Sequence, residues 1–310
     1  MKAFVFPGQG SQFVGMGKDL YDNNSLAKEL FDKADEILGF KITDIMFAGT
    51  DDQLKETKVT QPAVFLHSVI SALCLGDEFQ PAMVAGHSLG EFSALVAAGA
   101  MAFEDGLKLV AARANAMQKA CEANPGTMAA IIGLPDEKVE EICAEVSTEG
   151  NVVVAANYNC PGQLVIAGEK KAVEEAGQKA LDNGARRAVP LNTSGPFHTK
   201  LLKDASTRLH EVFKDVTFHE MNVPVIFNCT GKELEDCSIQ EMLEKQVMSP
   251  VYFEDSIRTM IDHGVDTIIE IGPGKVLSGF VRKIDRKIKT YQVEDMASLQ
   301  KCVEALNETK

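Results

Sequence analysis

The sequence predicts an α/β fold with a mostly parallel sheet in a large domain and an inserted ferredoxin-like small subdomain. Apolar strand candidates alternate with amphipathic helical stretches in both terminal parts of the chain, which is the pattern of parallel strands joined by helices. The middle of the chain reads instead as β-α-β-β-α-β, the element order of a split ferredoxin-like unit. We therefore assign residues 1–123 and 194–310 to the large domain and residues 124–193 to the small subdomain.

The first part of the large domain is predicted from two strand-to-loop transitions. An apolar strand at residues 2–6 runs into a glycine-rich turn at residues 7–12, and a second one, at residues 81–85, runs into Gly-His-Ser-Leu-Gly at residues 86–90. Helical periodicity covers residues 25–38 and 60–75 between them. Ligand sites of open α/β sheets lie at the carboxyl ends of the strands, so both loops are candidate parts of a site.

The remaining elements follow the same two patterns. In the small subdomain we predict strands at AAIIGL, VVVAANY, QLVIAGE and RRAVPLN, with helices at residues 136–146 and 170–183. In the large domain we then predict a helix at residues 199–213, a strand at VPVIFN, helices at residues 239–246 and 253–262, a strand at VDTIIEIG, and a closing strand and helix. The alternation of the large domain thus resumes after the insertion.

Composition excludes several classes of protein. The 310 residues are 45% hydrophobic and 25% charged, enough for a large core. No apolar run approaches the roughly 18 residues of a membrane-spanning helix, and no signal-peptide pattern opens the chain, so we expect a cytoplasmic protein. The seven cysteines lack C-x-x-C spacing, which predicts reduced thiols and no metal site. A formal net charge of -14 argues against general nucleic-acid binding.

The segment Gly86-His87-Ser88-Leu89-Gly90 fits the nucleophile elbow, a sharp turn between a strand and a helix that exposes a reactive hydroxyl. The spacing alone is common by chance. The apolar run before it and the helix-like EFSALVAAGAM after it are the context that the elbow requires. Ser88 is therefore the candidate nucleophile, and the large domain is predicted to be hydrolase-like.

A serine hydroxyl needs a neighbouring base to accept its proton. Among six histidines, His198 stands in a loop after a predicted strand and a Gly-Pro break, the setting expected of a catalytic base. A packed loop histidine is the equally open alternative. His87 is adjacent to Ser88 in sequence, and on a tight turn its side chain should diverge, so a structural role is expected for it.

The glycine-rich turns do not match nucleotide-binding motifs. Phe13 replaces the third glycine of G-x-G-x-x-G in the first turn, and the segment at residues 272–275 lacks the spacing of a phosphate-binding loop. A backbone N–H of the first turn can instead stabilise an oxyanion, provided that the turn faces Ser88.

Arg113 is the only charged residue between positions 109 and 118. A lone arginine on a helix of small residues usually extends its head group to solvent. The alternative is a buried guanidinium that binds a carboxylate through two parallel hydrogen bonds. Both interpretations are open at this point.

Together these motifs resemble the malonyl-CoA:acyl carrier protein transacylases of fatty-acid synthesis over nearly the whole chain. The matching segments are P-G-Q-G-S-Q at residues 7–12, G-H-S-x-G-E at 86–91, R-x-x-x-M-Q at 113–118, the late histidine at 198, and further segments at 156–163, 246–250 and 270–274.

The resemblance implies specific catalytic roles. Ser88 would be the nucleophile and His198 both base and acid. The backbone N–H groups of Gln9 and Leu89 would form the oxyanion hole. In this family a backbone carbonyl near the position of Gln246, and not an acidic side chain, orients the histidine.

The resemblance also implies substrate contacts. Arg113 would bind the malonyl carboxylate, and Met117, Met128 and Asn157 would line the pocket for the acyl group or the pantetheine arm. Plain core packing is the alternative for the two methionines. Phe197 would fill the space of an α-methyl group and so favour malonyl over methylmalonyl.

The implied reaction is a ping-pong transfer from malonyl-CoA to the phosphopantetheine thiol of acyl carrier protein, with no metal and no cofactor, carried out by a monomer. The alternatives are a serine esterase or thioesterase, malonyl loading for a polyketide pathway, and an inactive module that binds carrier protein. Residues 275–289 hold six Lys or Arg and one acid, Asp285. We expect acidic carrier protein to dock there; a solvated helix face is the alternative.

Overall fold

The structure, a computed structural model, describes residues 1–193 and 195–308. The predicted domain boundary at position 194 and the last two residues lie outside this described part. Its strands are β1 Lys2–Phe6, β2 Met83–Gly86, β3 Thr127–Ile132, β4 Val153–Cys160, β5 Gln163–Gly168, β6 Arg187–Pro190, β7 Val225–Ile226, β8 Val251–Tyr252, β9 Thr267–Ile271 and β10 Lys289–Val293. Its α-helices are α1 Lys18–Asn23, α2 Ser25–Leu38, α3 Ile42–Ala48, α4 Asp51–Lys55, α5 Thr57–Cys74, α6 Gly90–Ala97, α7 Phe103–Ala123, α8 Asp136–Val146, α9 Lys170–Asp182, α10 Lys203–Val212, α11 Ile239–Gln246, α12 Phe253–Asp262, α13 Val276–Ile284 and α14 Met296–Glu308.

The large sheet is parallel and has the strand order β10-β9-β1-β2-β7. Its central strand β1 is apolar along most of its length and almost wholly buried, because helices cover both faces of a parallel sheet. Phe6, the last residue of β1, pairs with Gly86, the last residue of β2. The two loops that the sequence marks as candidate parts of a site therefore leave neighbouring strands side by side. The predicted α/β fold with a mostly parallel sheet is confirmed.

The small sheet has the order β6-β3-β5-β4-β8. Its first four strands pair antiparallel and follow the strand order of a ferredoxin-like unit. Helices α8 and α9 contribute to the apolar cluster that covers this sheet. The fifth strand, β8, lies outside the predicted insertion and pairs parallel with β4, so the inserted segment does not form this sheet alone. Two residues are too few to show a strand pattern in the sequence.

Two predicted elements are shorter than expected. The predicted helix at residues 199–213 begins with a 3₁₀ turn at Lys200–Leu202 before α10. The predicted strand VPVIFN keeps only the two residues of β7, because the chain turns sharply after it: Phe227 N–H donates to the Lys232 carbonyl and Gly231 N–H to the Phe227 carbonyl.

Two long helices, α5 and α7, belong to the main hydrophobic core. Nearly all of α5 is buried, in keeping with its apolar sequence, and α5 packs along α7.

Within the described residues, no helix is long and apolar enough to cross a membrane. Across the same two ranges, no cluster of three His, Cys, Asp or Glu side chains is arranged to hold a metal ion.

Candidate active site

The elbow between β2 and α6 is a turn that only glycine permits at its two flanking positions. A Cβ at Gly86 would collide with the backbone of Gly90, and a Cβ at Gly90 would collide with the carbonyl of Phe6. Ser88 between them has φ 53°, the left-handed region that non-glycine residues rarely adopt. The turn therefore fits tightly against the end of β1 and exposes Ser88.

Ser88 and His198 are in hydrogen-bond contact, the arrangement that a serine nucleophile and its base require. Ser88 Oγ lies 2.7 Å from His198 Nε2. His198 Nδ1 lies 2.8 Å from the backbone carbonyl of Gln246, which can only accept a hydrogen bond, so Nδ1 carries the proton. Nε2 is consequently free to accept the serine proton, and the carbonyl sets the orientation of the ring.

The surroundings of His198 keep its imidazole neutral. Burial, and then the charge of Arg113, lower the pKa of His198 from 6.5 to about 3, while the hydrogen bond to Gln246 acts weakly in the opposite direction. At neutral pH the ring is therefore ready to accept a proton.

The first glycine-rich turn lies against the elbow. A Cβ at Gly8 would collide with the carbonyl of His87, so glycine allows the two loops to touch. Gln9 and Leu89 line the same cavity as Ser88. Across residues 1–193 and 195–308, neither the Gln9 N–H nor the Leu89 N–H donates to a protein acceptor. Both amides are thus available to an oxyanion.

Arg113 is buried beside the nucleophile, with 1% of its surface exposed. Its Nη1 donates to Gln61 Oε1 at 2.7 Å and its Nη2 to Gln246 Oε1 at 2.9 Å. Nη2 also lies 3.4 Å from Ser88 Oγ, and the guanidinium carbon is 5.0 Å from the centre of the Phe92 ring. The interpretation that Arg113 extends to solvent is wrong.

The charge of Arg113 is only partly balanced. Burial lowers the pKa of Arg113 to about 10, and nearby Glu91 opposes that effect. Burial also raises the pKa of Glu91 to about 8. The side chains that accept hydrogen bonds from the guanidinium, within the described part of the chain, are neutral, and its Nε has no partner there. The site can therefore take up an anionic carboxylate next to Ser88.

A cavity of about 530 Å³ opens above the nucleophile. The large domain supplies its floor, and β3 and β4 of the small sheet supply one wall. Nine residues that the sequence analysis singled out line it: Gln9, Ser88, Leu89, Arg113, Met117, Met128, Asn157, Phe197 and His198. The tenth, Gln246, is fully buried and contacts Arg113 and His198 from behind.

Three further residues belong to this site and were missed by the sequence analysis. Gln61 holds Arg113, and Glu91 and Asn228 are fully buried under the elbow. Glu91 stands in the matched G-H-S-x-G-E segment and Asn228 closes a predicted strand, which were the signals available. His87 turns away from Ser88, as expected, and lies 2.7 Å from Asn159 Oδ1 through its Nε2.

The mouth of the cavity is formed partly by α13. Val276, Leu277 and Phe280 line the cavity, while Arg282 and Lys283 on the same helix are exposed. The basic residues 275–289 therefore belong to a helix that also borders the cavity.

Comparison with known proteins gives a consistent result. A sequence model described as the acyl transferase domain matches residues 3–305. The malonyl CoA-acyl carrier protein transacylase of Bacillus subtilis (strain 168) is 46% identical over 308 residues, which are 99% of this chain and 97% of that protein. Among solved structures, MCAT from Streptococcus pneumoniae superposes with a TM-score of 0.92 at 45% identity, covering 98% of this chain and 100% of that one.

A second solved relative is a complex with a partner. It is PlMCAT, a malonyl-transacylase in complex with AntF, a type II polyketide acyl carrier protein. It superposes with a TM-score of 0.94 at 38% identity, covering 98% of this chain and 99% of that one.

Proposed function

This chain belongs to the malonyl-CoA:acyl carrier protein transacylase family, and we propose that it transfers malonyl from coenzyme A to acyl carrier protein through an ester on Ser88, for fatty-acid elongation. One arrangement carries the proposal: Ser88 Oγ lies 2.7 Å from the base His198 and 3.4 Å from the cation Arg113. The hydroxyl is thus placed between a proton acceptor and a carboxylate receptor, which suits an acyl group that ends in a carboxylate.

In the first half-reaction Ser88 Oγ attacks the thioester carbonyl of malonyl-CoA while His198 Nε2 accepts the hydroxyl proton. The N–H groups of Gln9 and Leu89 stabilise the negative charge that develops on the carbonyl oxygen. When the intermediate collapses, the carbon–sulfur bond breaks and His198 returns the proton to the departing thiol. The malonyl group then remains on the serine as an ester.

The second half-reaction reverses these roles with a different thiol. The phosphopantetheine thiol of acyl carrier protein gives its proton to His198, and the sulfur attacks the ester carbonyl. The oxygen of Ser88 leaves and takes the proton back. Both steps exchange an acyl group and a proton, so we expect no metal and no cofactor. A monomeric state and a cytoplasmic location stay predictions.

Arg113 and Phe197 account for the choice of acyl group. The guanidinium binds the malonyl carboxylate and so aligns the thioester against Ser88, whereas an acetyl group leaves it without an anion. Phe197 is buried beside the cavity, where its ring occupies the space that an α-methyl group would need. Methylmalonyl-CoA is therefore expected to be a poor donor.

The decisive assay follows the loss of malonyl-CoA with and without holo-acyl carrier protein. A transferase releases free coenzyme A in one enzyme equivalent without the carrier and continuously with it. A serine esterase releases it continuously in both cases, and an inactive module that only binds the carrier releases none. Continuous release without any thiol acceptor would contradict the proposed function.

A further inference from the structure

The pairing of β2 with β7 ends abruptly below the nucleophile. The register pairs Val84 with Val225 and Ala85 with Ile226, and Val84 N–H donates to the carbonyl of Pro224. Parallel ladders continue at two-residue intervals, so the next rungs would lead to Asn228 N–H and the carbonyl of Gly86. Asn228 N–H donates instead to Glu91 Oε2 at 2.6 Å.

The side chain of Asn228 takes over where the backbone ladder stops. Its Nδ2 donates to the carbonyl of Gly86 at 2.6 Å, and its Oδ1 accepts the N–H of Ser88 at 2.8 Å. One amide thus holds the chain on both sides of His87. Asn228 is fully buried and does not line the cavity, so it does not contact a substrate bound there.

Gln246 adds two further hydrogen bonds to this support of the Ser88 backbone. Its Nε2 donates to the carbonyl of Ser88 at 2.8 Å and to Asn228 Oδ1 at 3.2 Å. The N–H and the carbonyl of the nucleophile are therefore both fixed by buried side chains. Such support is needed because an L-residue with φ 53° is in an unfavourable conformation that its surroundings must impose.

We propose that Asn228 is a positioning residue of the acyl transfer: it holds the Ser88 peptide in the left-handed conformation that points Oγ at His198 and the Leu89 N–H into the cavity. Glu91 supports this role because it binds the Asn228 N–H and so fixes the residue between α6 and β7. The inference rests on the proposed function only in taking Ser88 as the nucleophile.

The test is the Asn228→Ala variant in two assays. In single-turnover mixing with malonyl-CoA, the rate of acyl-enzyme formation at saturation should fall by about tenfold to 100-fold, since a misplacement of about 1 Å has an effect of that size. The concentration of malonyl-CoA at half-maximal rate should stay within about twofold, because Arg113 and the cavity wall are untouched.

The second assay measures Ser88 without the acyl substrate. A small sulfonyl fluoride, which carries no carboxylate, should modify Ser88 in the parent and react more slowly with Asn228→Ala by a similar factor. The Ser88→Ala variant shows which labelling belongs to this hydroxyl. Asn124→Ala is the matched control, because Asn124 lies at the end of α7 and its side chain donates a hydrogen bond to the backbone carbonyl of Ala120, away from the elbow.

The outcomes distinguish the positioning role of Asn228 from the proposed malonyl transfer. Parallel loss of both rates at unchanged half-saturation supports the positioning role. If the parent forms no malonyl ester, the proposed function fails, and slower sulfonyl fluoride labelling of Asn228→Ala alone still supports the positioning role. Rates of Asn228→Ala within about threefold of the parent overturn it, as does a loss confined to malonyl-CoA. If the alanine variant does not fold, Asn228→Asp, which keeps the size and the acceptor for Ser88 N–H but removes the donor to Gly86, is judged by the same criteria.

Discussion

Ser88 and His198 meet at 2.7 Å, and each has a left-handed backbone, with φ 53° and φ 62°. They are the two non-glycine residues with positive φ in residues 1–193 and 195–308. Each such conformation costs about 1–3 kcal/mol, so the fold maintains strain at both partners of the proposed proton transfer. With these backbone conformations the two side chains point toward each other.

We expect the Ser88→Ala variant to form no malonyl adduct. Intact-protein mass spectrometry after brief mixing with malonyl-CoA should show one added malonyl group on the parent and none on the variant, because Ser88 is the hydroxyl that pairs with His198 in the part of the chain that the structure describes. Ser93→Ala is the matched control: Ser93 is buried on α6, the helix that follows Ser88, but does not line the cavity. A malonyl adduct on Ser88→Ala would show that Ser88 is not the nucleophile.

The rate of acyl-enzyme formation should not fall with the ordinary histidine pKa as the pH is lowered. The pKa of His198 is lowered from 6.5 to about 3 because burial and the facing charge of Arg113 disfavour the imidazolium, and His87 acts in the same direction. The base is protonated only below that value, so the single-turnover rate should be flat between about pH 5 and pH 7. A half-maximal rate near pH 6.5 would show that the imidazole is more solvated than its burial implies.

The elbow was predictable because its signal is local. Five residues, the apolar run before them and the helix after them define the turn, and the glycines at positions 86 and 90 are required by contacts that any tight strand-to-helix turn makes. The alternation of strands and helices gave the parallel sheet for the same reason. Periodicity within a short window reports which face of an element is buried.

The surroundings of Arg113 were not predictable from the residues near it. Its neighbours on α7 are small and suggested an exposed side chain, but its partners Gln61 and Gln246 come from 52 and 133 positions away. Asn228 was missed for a similar reason, since its contacts with Gly86 and Ser88 span about half the chain. Only the tertiary fold brings these amides together.

The exposed basic residues of α13 and the loop after it should bind acyl carrier protein. All six cations in residues 275–289 are exposed, and the helix also borders the cavity mouth. Reversal of Arg282, Lys283 and Lys287 to Glu should raise the KM for acyl carrier protein by about tenfold at low salt, because long-range attraction of an acidic partner is lost. The KM for malonyl-CoA should not change.

The matched control reverses Lys170, Lys171 and Lys301, which are exposed and do not line the cavity. It changes the net charge by the same amount, so it separates a local surface from the overall field. Steady-state kinetics at two salt concentrations are the measurement. An equal KM for acyl carrier protein in both triple variants would show that the docking surface does not lie on α13. The proposed chemistry at Ser88 would be unaffected by that result.

The Arg113→Ala variant tests substrate choice most directly. We expect kcat/KM for malonyl transfer to fall by about 100-fold or more, each ~1.4 kcal/mol of lost transition-state binding giving a factor of ten. Acetyl transfer should be spared or increased, because acetyl has no carboxylate to bind. Arg113→Lys should recover little malonyl transfer, since a single ammonium cannot bind Gln61, Gln246 and a carboxylate in the planar geometry of a guanidinium.

Comparison of malonyl with acetyl transfer distinguishes a carboxylate-binding role of Arg113 from a structural one. Arg113 also donates to Gln61 of α5 and to Gln246, whose side chain binds the Ser88 carbonyl, so loss of the guanidinium can also disturb Ser88. Such a disturbance lowers malonyl and acetyl transfer in the same proportion, whereas loss of a carboxylate receptor lowers malonyl transfer alone. If the alanine variant, still folded by circular dichroism, lost both activities equally, Arg113 would be a structural residue and another group would have to recognise the malonyl carboxylate.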